Sequence, residues 1–363
     1  MNTISDLFFG LADSQLPSRQ VTEYIGFTQS DSFFQLALAK NTRITTLRKH
    51  FSREGFNRIF LSANLAGFEF AMPGFSTGFL EKGFFQNADP IELNRKKALL
   101  DGAVVIINNN DVDMSCYADI YNHCDKTCFI GWDWDNHHWL ELSTFLAAHS
   151  DIYAPAHHEN LYLLSRYNWL TCGPVYCATV QWSRRFLTDH LSEMLQADRS
   201  AEPLGKHIPY TPFRFRLQVI TTLSQHYSSI GFSDRTFHVR TPGERLREWY
   251  SHKMHWIVPV LNDVPIRIFD ALVTGGIPIV PESLRLLPPV NAISLEHILF
   301  YNPADIVSPK NLVARANTLF DEGGHDRIAE RHRYALEHHH GNSRIRQMLS
   351  YVAELFHVKL PVG

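Results

Sequence analysis

Two loops and one strand–helix–strand segment carry the side chains best suited to chemistry. The first loop falls in IGWDWDNHHWLE, Ile130 to Glu141, and holds Asp133, Asp135, His137 and His138. The second is APAHHEN, Ala154 to Asn160, with His157, His158 and Glu159. Carboxylates and imidazoles suit two tasks: taking the proton of an attacking hydroxyl, or stabilising and trapping an oxocarbenium-like carbon. Asp133, Asp135, His158 and Glu159 are the candidates, and Asp234, beside Arg235 in GFSDRTFH, is a secondary one. Trp132, Trp134 and Trp139 could offer flat apolar faces to a ring-shaped ligand. Each residue also has a purely structural explanation. Asp135 or Asn136 suits the cap of a helix beginning near His137, the tryptophans suit a core, and His157 and His158 suit a loop tip. A metal-dependent hydrolase would instead use Asp133, Asp135, His137, His157 and His158 as ligands.

The third segment is KMHWIVPVLNDVPIRIFDALVTGGIPIVP, Lys253 to Pro281. It reads as strand, loop, helix, glycine turn and strand. Pro265 suits a first helical turn, where its missing N–H costs little. Ile268, Ala271 and Leu272 make an apolar face, and Gly275-Gly276 ends the helix with residues free to adopt positive φ. A helix N-terminus beside a strand end is an anion site in waiting, because its first amides lack partners and its dipole favours negative charge. Arg267 adds a bidentate cation and Lys253 a point charge. Asp270 is placed to accept from a ribose or sugar hydroxyl. The same unit occurs in many α/β proteins without any phosphate.

Short apolar runs alternating with amphipathic stretches surround these segments, which is the pattern of βα units. First-half strands are expected at Arg58–Leu61, Ala103–Ile107, Thr127–Trp132 and Asp151–Ala154, with helices around Ile91–Leu100, Ser115–Cys124 and Trp139–His149. A second series has strands at Val175–Thr179, Thr236–Val239, His255–Val258, Ile277–Val280 and Ile298–Tyr301. Its helices are expected at Gln181–Leu195, Phe213–His226, Gly243–Ser251 and Ile266–Thr274, and Asp198–Pro212 reads as a surface excursion. Helices Pro309–Phe320, His325–His339 and Ser343–Phe356 close the chain. The first fifty residues resist assignment. The expected fold class is therefore α/β, with two Rossmann-like domains, 1–173 and 174–363, facing a central cleft, and C-terminal helices. Parallel sheets gather ligands at the carboxyl ends of their strands.

The run PIRIFDALVTGGIPIV resembles the donor-binding segment of GT-B glycosyltransferases, which often show R-x-F-[ED]-A-L/A-x-x-G-x-P there. The similarity extends through Ile298–Asn302 and the helix after Pro309 to HRYALEHHHGNSRIRQML. The first half is similar only in general layout. The resemblance implies a nucleotide-sugar donor held by Lys253, Pro265, Arg267, Asp270, Gly275 and Gly276, with 174–363 as the donor domain and 1–173 on the acceptor side. It implies a saccharide or glycolipid acceptor, bacterial surface-polysaccharide or lipopolysaccharide synthesis, and a hexosyl or Kdo-type donor. Many retaining members carry two glutamates where this chain has Asn262 and Asp270, so the first carboxylate is missing or replaced by Asp263. That departure favours a second alternative, a non-catalytic carbohydrate-binding protein on a degenerate transferase fold.

Composition sets the remaining bounds. The 363 residues carry a net charge of −3, with 45% hydrophobic and 20% charged side chains, which is ordinary globular balance without the basic excess of a nucleic-acid binder. Five cysteines, Cys116, Cys124, Cys128, Cys172 and Cys177, show no CxxC pair, so reduced thiols are expected rather than a disulfide frame or a metal site. The opening MNTISDLFFGLADS lacks the layout of a signal peptide, and no window approaches the ~18 apolar residues of a membrane span. A cytoplasmic protein follows as the expectation, compatible with peripheral association at the inner face of a membrane. No cofactor is expected, the nucleotide sugar being a substrate. The triple histidine in EHHHGNSR, Glu337 to Arg344, reads as a helix-end region, since consecutive residues cannot share one helix face.

Overall fold

The computed structural model describes residues 31–134, 140–165, 167–176, 181–233, 240–261 and 263–360. The sequence-expected strand Thr236–Val239 lies outside them, as do Asp135, His137, His138, Trp139, Asp234, Arg235, Asn262 and Cys177.

The described residues open with a long helix, α1 (Asp31–Glu54), and then alternate strands and helices. These are β1 (Arg58–Leu61), β2 (Ser76–Phe79), α2 (Pro90–Leu100), β3 (Val104–Asn108), α3 (Met114–His123), β4 (Cys128–Asp133), α4 (Leu140–Ala148), β5 (Ile152–Pro155) and α5 (His158–Leu164). The five strands form one parallel sheet in the order β2-β1-β3-β4-β5. Asp89 starts α2 by accepting from the amides of Ile91 and Glu92, each at 3.0 Å, with Pro90 in the first turn. Both faces of the sheet are covered, so its central strands read as unbroken apolar runs. Val104 and Ile106 face a core completed by Leu47 and Phe51 of α1, while Val105 and Ile107 face Leu100, Tyr117, Ile120 and Leu146 of α2, α3 and α4.

Beyond β5 come α6 (Arg184–Asp189), α7 (Leu191–Gln196), β6 (Gly205–His207), α8 (Arg214–Ser224), β7 (Ile230–Phe232) and α9 (Pro242–Tyr250). There follow β8 (Met254–Trp256), α10 (Arg267–Val273), β9 (Ile277–Pro281), β10 (Leu299–Tyr301), α11 (Pro303–Val307), α12 (Lys310–His338) and α13 (Gly341–Phe356). Strands β10-β9-β8 and β6-β7 are parallel. A parallel bridge of Leu204 to His255 joins the two groups, with the Leu204 amide on the Met254 carbonyl at 3.0 Å and the Trp256 amide on the Leu204 carbonyl at 2.8 Å. One continuous parallel layer, β7-β6-β8-β9-β10, results. Its faces are packed by α9, α10 and part of α12 on one side and by α8 and the rest of α12 on the other.

Several expectations need correction. Val175 and Tyr176 are not in a strand, and the expected helix Gln181–Leu195 is two short helices meeting at His190. The excursion 198–212 contains β6. By contrast, the two helices expected at Pro309–Phe320 and His325–His339 are both present within Lys310–His338, joined at Gly324, whose φ of 53° is not helical. The last helix does not pack with the second layer, to which its place in sequence would assign it. Ile345, Met348, Leu349, Val352 and Phe356 of α13 are fully buried in the first sheet's core, against α1. Burying each such side chain contributes about 1.5–3 kcal/mol, which is why α13 crosses back. No helix among the described residues is long and apolar enough to cross a membrane.

Candidate functional site

The carboxyl ends of strands from both sheets meet at one cavity of about 150 Å³. Trp134 reaches it from the end of β4 and His157 from the end of β5; Ile208 and Tyr210 follow β6, and Val258 to Val260 and Asp263 to Arg267 follow β8. Arg216, from the first turn of α8, closes another side. Among the described residues the titratable groups at its wall are two arginines, one carboxylate (Asp263), one histidine and one phenol, set among Val258, Pro259, Val260, Val264 and Ile266.

Each charge is held by its surroundings. The Arg216 guanidinium donates to the Val258 carbonyl at 3.1 Å and the Ile208 carbonyl at 2.6 Å, and lies over the Tyr210 ring at 5.5 Å. Arg267 is partly buried, 5.7 Å from the centroid of the Trp249 ring. Burial pushes its pKa down to about 10, opposed by the nearby Asp270 carboxylate. Asp263 is 8% exposed. Burial raises its carboxyl to about 7, opposed by the Val260 backbone and Arg216. A second cavity, about 470 Å³, shares Arg216, Val258 and Pro259 with the first and continues past Phe213, Phe215, Pro281, Tyr301 and Pro303. Its wall is mostly apolar and aromatic, suited to a flat ring.

The expected site residues fall into three groups. Pro265 and Arg267 line the cavity. His158 and Glu159 sit just behind it at the start of α5, paired at 3.6 Å with side chains 32% and 45% exposed. His157, expected as a loop-tip residue, is the one turned inward, at 5% exposure. Asp133 and Asp270 are both fully buried. The Asp133 carboxylate accepts from the Tyr153 hydroxyl at 2.6 Å, and Asp270 accepts from the Gln181 amide at 2.7 Å. Neither lines the cavity.

Lys253, Gly275 and Gly276 lie at the opposite end of the sheet. Lys253 precedes β8 and pairs with Asp321 at 2.7 Å. The two glycines join the end of α10 to the start of β9. Gly275 adopts φ 77°, and a Cβ there would come within 2.4 Å of Ile328; one on Gly276 would meet His255 at 2.6 Å. Their work is close packing. At the start of α10 the Ile268, Phe269 and Asp270 amides donate to the Pro265 and Ile266 carbonyls at 2.9–3.1 Å. The cationic side chains at this wall are Arg267 and Arg216.

Trp132 is a core residue, stacked near Phe68 and donating to the Val175 carbonyl at 2.9 Å. The histidine run is structural as well. His339 stacks on Phe269 at 4.5 Å, and His340 caps α13 by accepting from the Asn342 amide at 3.2 Å. Among the described residues no group of three His, Cys, Asp or Glu side chains is placed to hold a metal ion. Sequence reasoning missed Arg216 and His157 as wall residues and took Asp263 only as a stand-in for a missing glutamate. No protein-family model matches this chain, and no curated protein matches it.

Proposed function

We infer that the chain is a two-domain, GT-B-type glycosyltransferase that moves a sugar from a nucleotide donor to a hydroxyl of a saccharide or glycolipid acceptor. One observation carries the reading: strand ends from two separate parallel sheets converge on a single cavity with two arginines in its wall. Ligands of parallel sheets gather at such ends, and paired guanidinium groups recognise phosphate. The adjoining apolar space, bounded by Phe213, Phe215 and Tyr301, suits the nucleobase.

In this reading the phosphate of the donor contacts Arg267 and Arg216, and the acceptor approaches from the first sheet's side, past His157. Among the described residues, Glu159 is the carboxylate there with solvent access. The acceptor oxygen forms a bond to the anomeric carbon, the bond from that carbon to the phosphate oxygen breaks, and the hydroxyl proton passes to Glu159. Such a base contributes roughly 10²–10⁴-fold. The setting that fits is cytoplasmic synthesis of surface polysaccharide or lipopolysaccharide.

The test is turnover. Purified protein with UDP-, GDP-, ADP-, dTDP- or CMP-linked sugar is assayed for nucleotide release, with and without saccharide acceptors. The reading expects release from one donor class and a loss of at least tenfold in kcat for Glu159→Gln. Absence of release from every donor would overturn it.

A further inference from the structure

We propose that the cavity takes up its anion together with a proton, and that the Asp263 carboxyl carries that proton. The inference rests on the reading of the cavity as a phosphate site and deepens it.

Asp263 is an odd neighbour for a phosphate. It shares about 150 Å³ with Arg216 and Arg267, is 8% exposed, and its Oδ1 atom makes no hydrogen bond. A buried acceptor without a partner is costly, and the cavity it lines is the place a partner would come from. As a carboxylate it would repel an arriving phosphate by about 1–4 kcal/mol at 4 Å, for effective dielectrics between water and a protein surface. As a carboxylic acid it loses that repulsion and gains an O–H to donate. One protonation thus removes the clash of charge and supplies the missing partner.

The groups facing Asp263 set when this happens. The Val260 backbone, Arg216 from α8 and Asp263's own backbone favour the carboxylate, and Arg267 from α10 shares the wall. Burial beside Val264 and Ile266 favours the acid, and Glu159 of α5 adds in the same direction. His157 and Tyr210 complete the ring of titratable neighbours. Burial wins, bringing the free-state pKa to about 7. A bound anion engages both arginines and adds its own charge, so the bound-state value rises further. The proton comes from solvent and no covalent bond changes.

The experiment is calorimetric titration of the intact protein with the five classes of nucleotide sugar and with sulfate, at pH 6.5 and 8.5, in buffers of different protonation enthalpy. None of these anions titrates in that range. The expected result is a Kd rising roughly 25-fold between the two pH values, the ratio set by a free-state pKa near 7, with uptake approaching one proton per anion at pH 8.5. Asp263→Asn should still bind, since its amide donates, but without pH dependence or proton uptake. A wild-type Kd that is flat with pH, or a slope unchanged in Asp263→Asn, overturns the proton proposal and leaves the transferase reading standing. Failure of every anion to bind overturns both.

Discussion

Arg267→Met separates a ligand-binding cation from a structural one, because the two roles predict opposite signs. In the free protein the guanidinium is partly buried beside Trp249, and burial outweighs Asp270 enough to push its pKa down to about 10. Folding therefore disfavours the charged form. The cost is fully present at neutral pH, where the arginine is charged in both states, and relaxes only as pH rises through about 10. Methionine keeps most of the apolar stem and removes the charge. It forfeits a cation–π contact worth about 0.5–1 kcal/mol and relieves a burial penalty of at least similar size. The free variant should melt at the wild-type temperature or slightly above it. Its affinity for the donor should fall, because a charge-assisted hydrogen bond contributes about 1.5–3 kcal/mol, or roughly 10- to 150-fold in Kd. Calorimetric titration with the donor and a thermal melt of the free protein read the two arms. A variant that melts several degrees lower but binds the donor unchanged would refute the reasoning.

Other outcomes follow from the same geometry. Leu349→Ala in α13 empties a fully buried position of the first sheet's core and should cost about 2–5 kcal/mol in denaturant unfolding. Lys253→Ala removes a pair whose acidic partner is 58% exposed, far from the cavity; stability should change by less than about 1 kcal/mol and donor affinity not at all. Because the folded pKa of Asp263 is raised from 3.8 to about 7, its stabilising share is complete at low pH and lost as pH rises through 7. Stability should therefore fall less between pH 5 and 8 in Asp263→Asn than in wild type, as followed by urea midpoints.

Much of the fold was legible where local chemistry was decisive. Runs such as Val104 to Ile107 announce strands covered on both faces, and Asp89-Pro90 announces a helix start. The strand β2 escaped because Ser76–Phe79 is a half-exposed edge without an apolar run. Strands β6 and β7 escaped because each has three residues, with Lys206 and His207 in the first. The return of α13 to the first sheet could not be read locally, since periodicity shows that a face is apolar but not which core receives it. The site divides in the same way. That Lys253 stands before its strand, and so at the wrong end for a ligand, was readable from order alone. Which of His157 and His158 turns inward, and that Arg216 arrives from a helix far along the chain, depends on tertiary packing.

The central claim is that the shared cavity at the two sheets' carboxyl ends binds a nucleotide sugar. A thermal-shift screen of UDP-, GDP-, ADP-, dTDP- and CMP-linked sugars at millimolar concentration tests it most directly. The account predicts that at least one class raises the melting temperature by several degrees, since ligand at 100 times its Kd stabilises by about 2.7 kcal/mol, and that Arg267→Met cuts the shift to about half or less. Melting temperatures that stay put with every donor would contradict it.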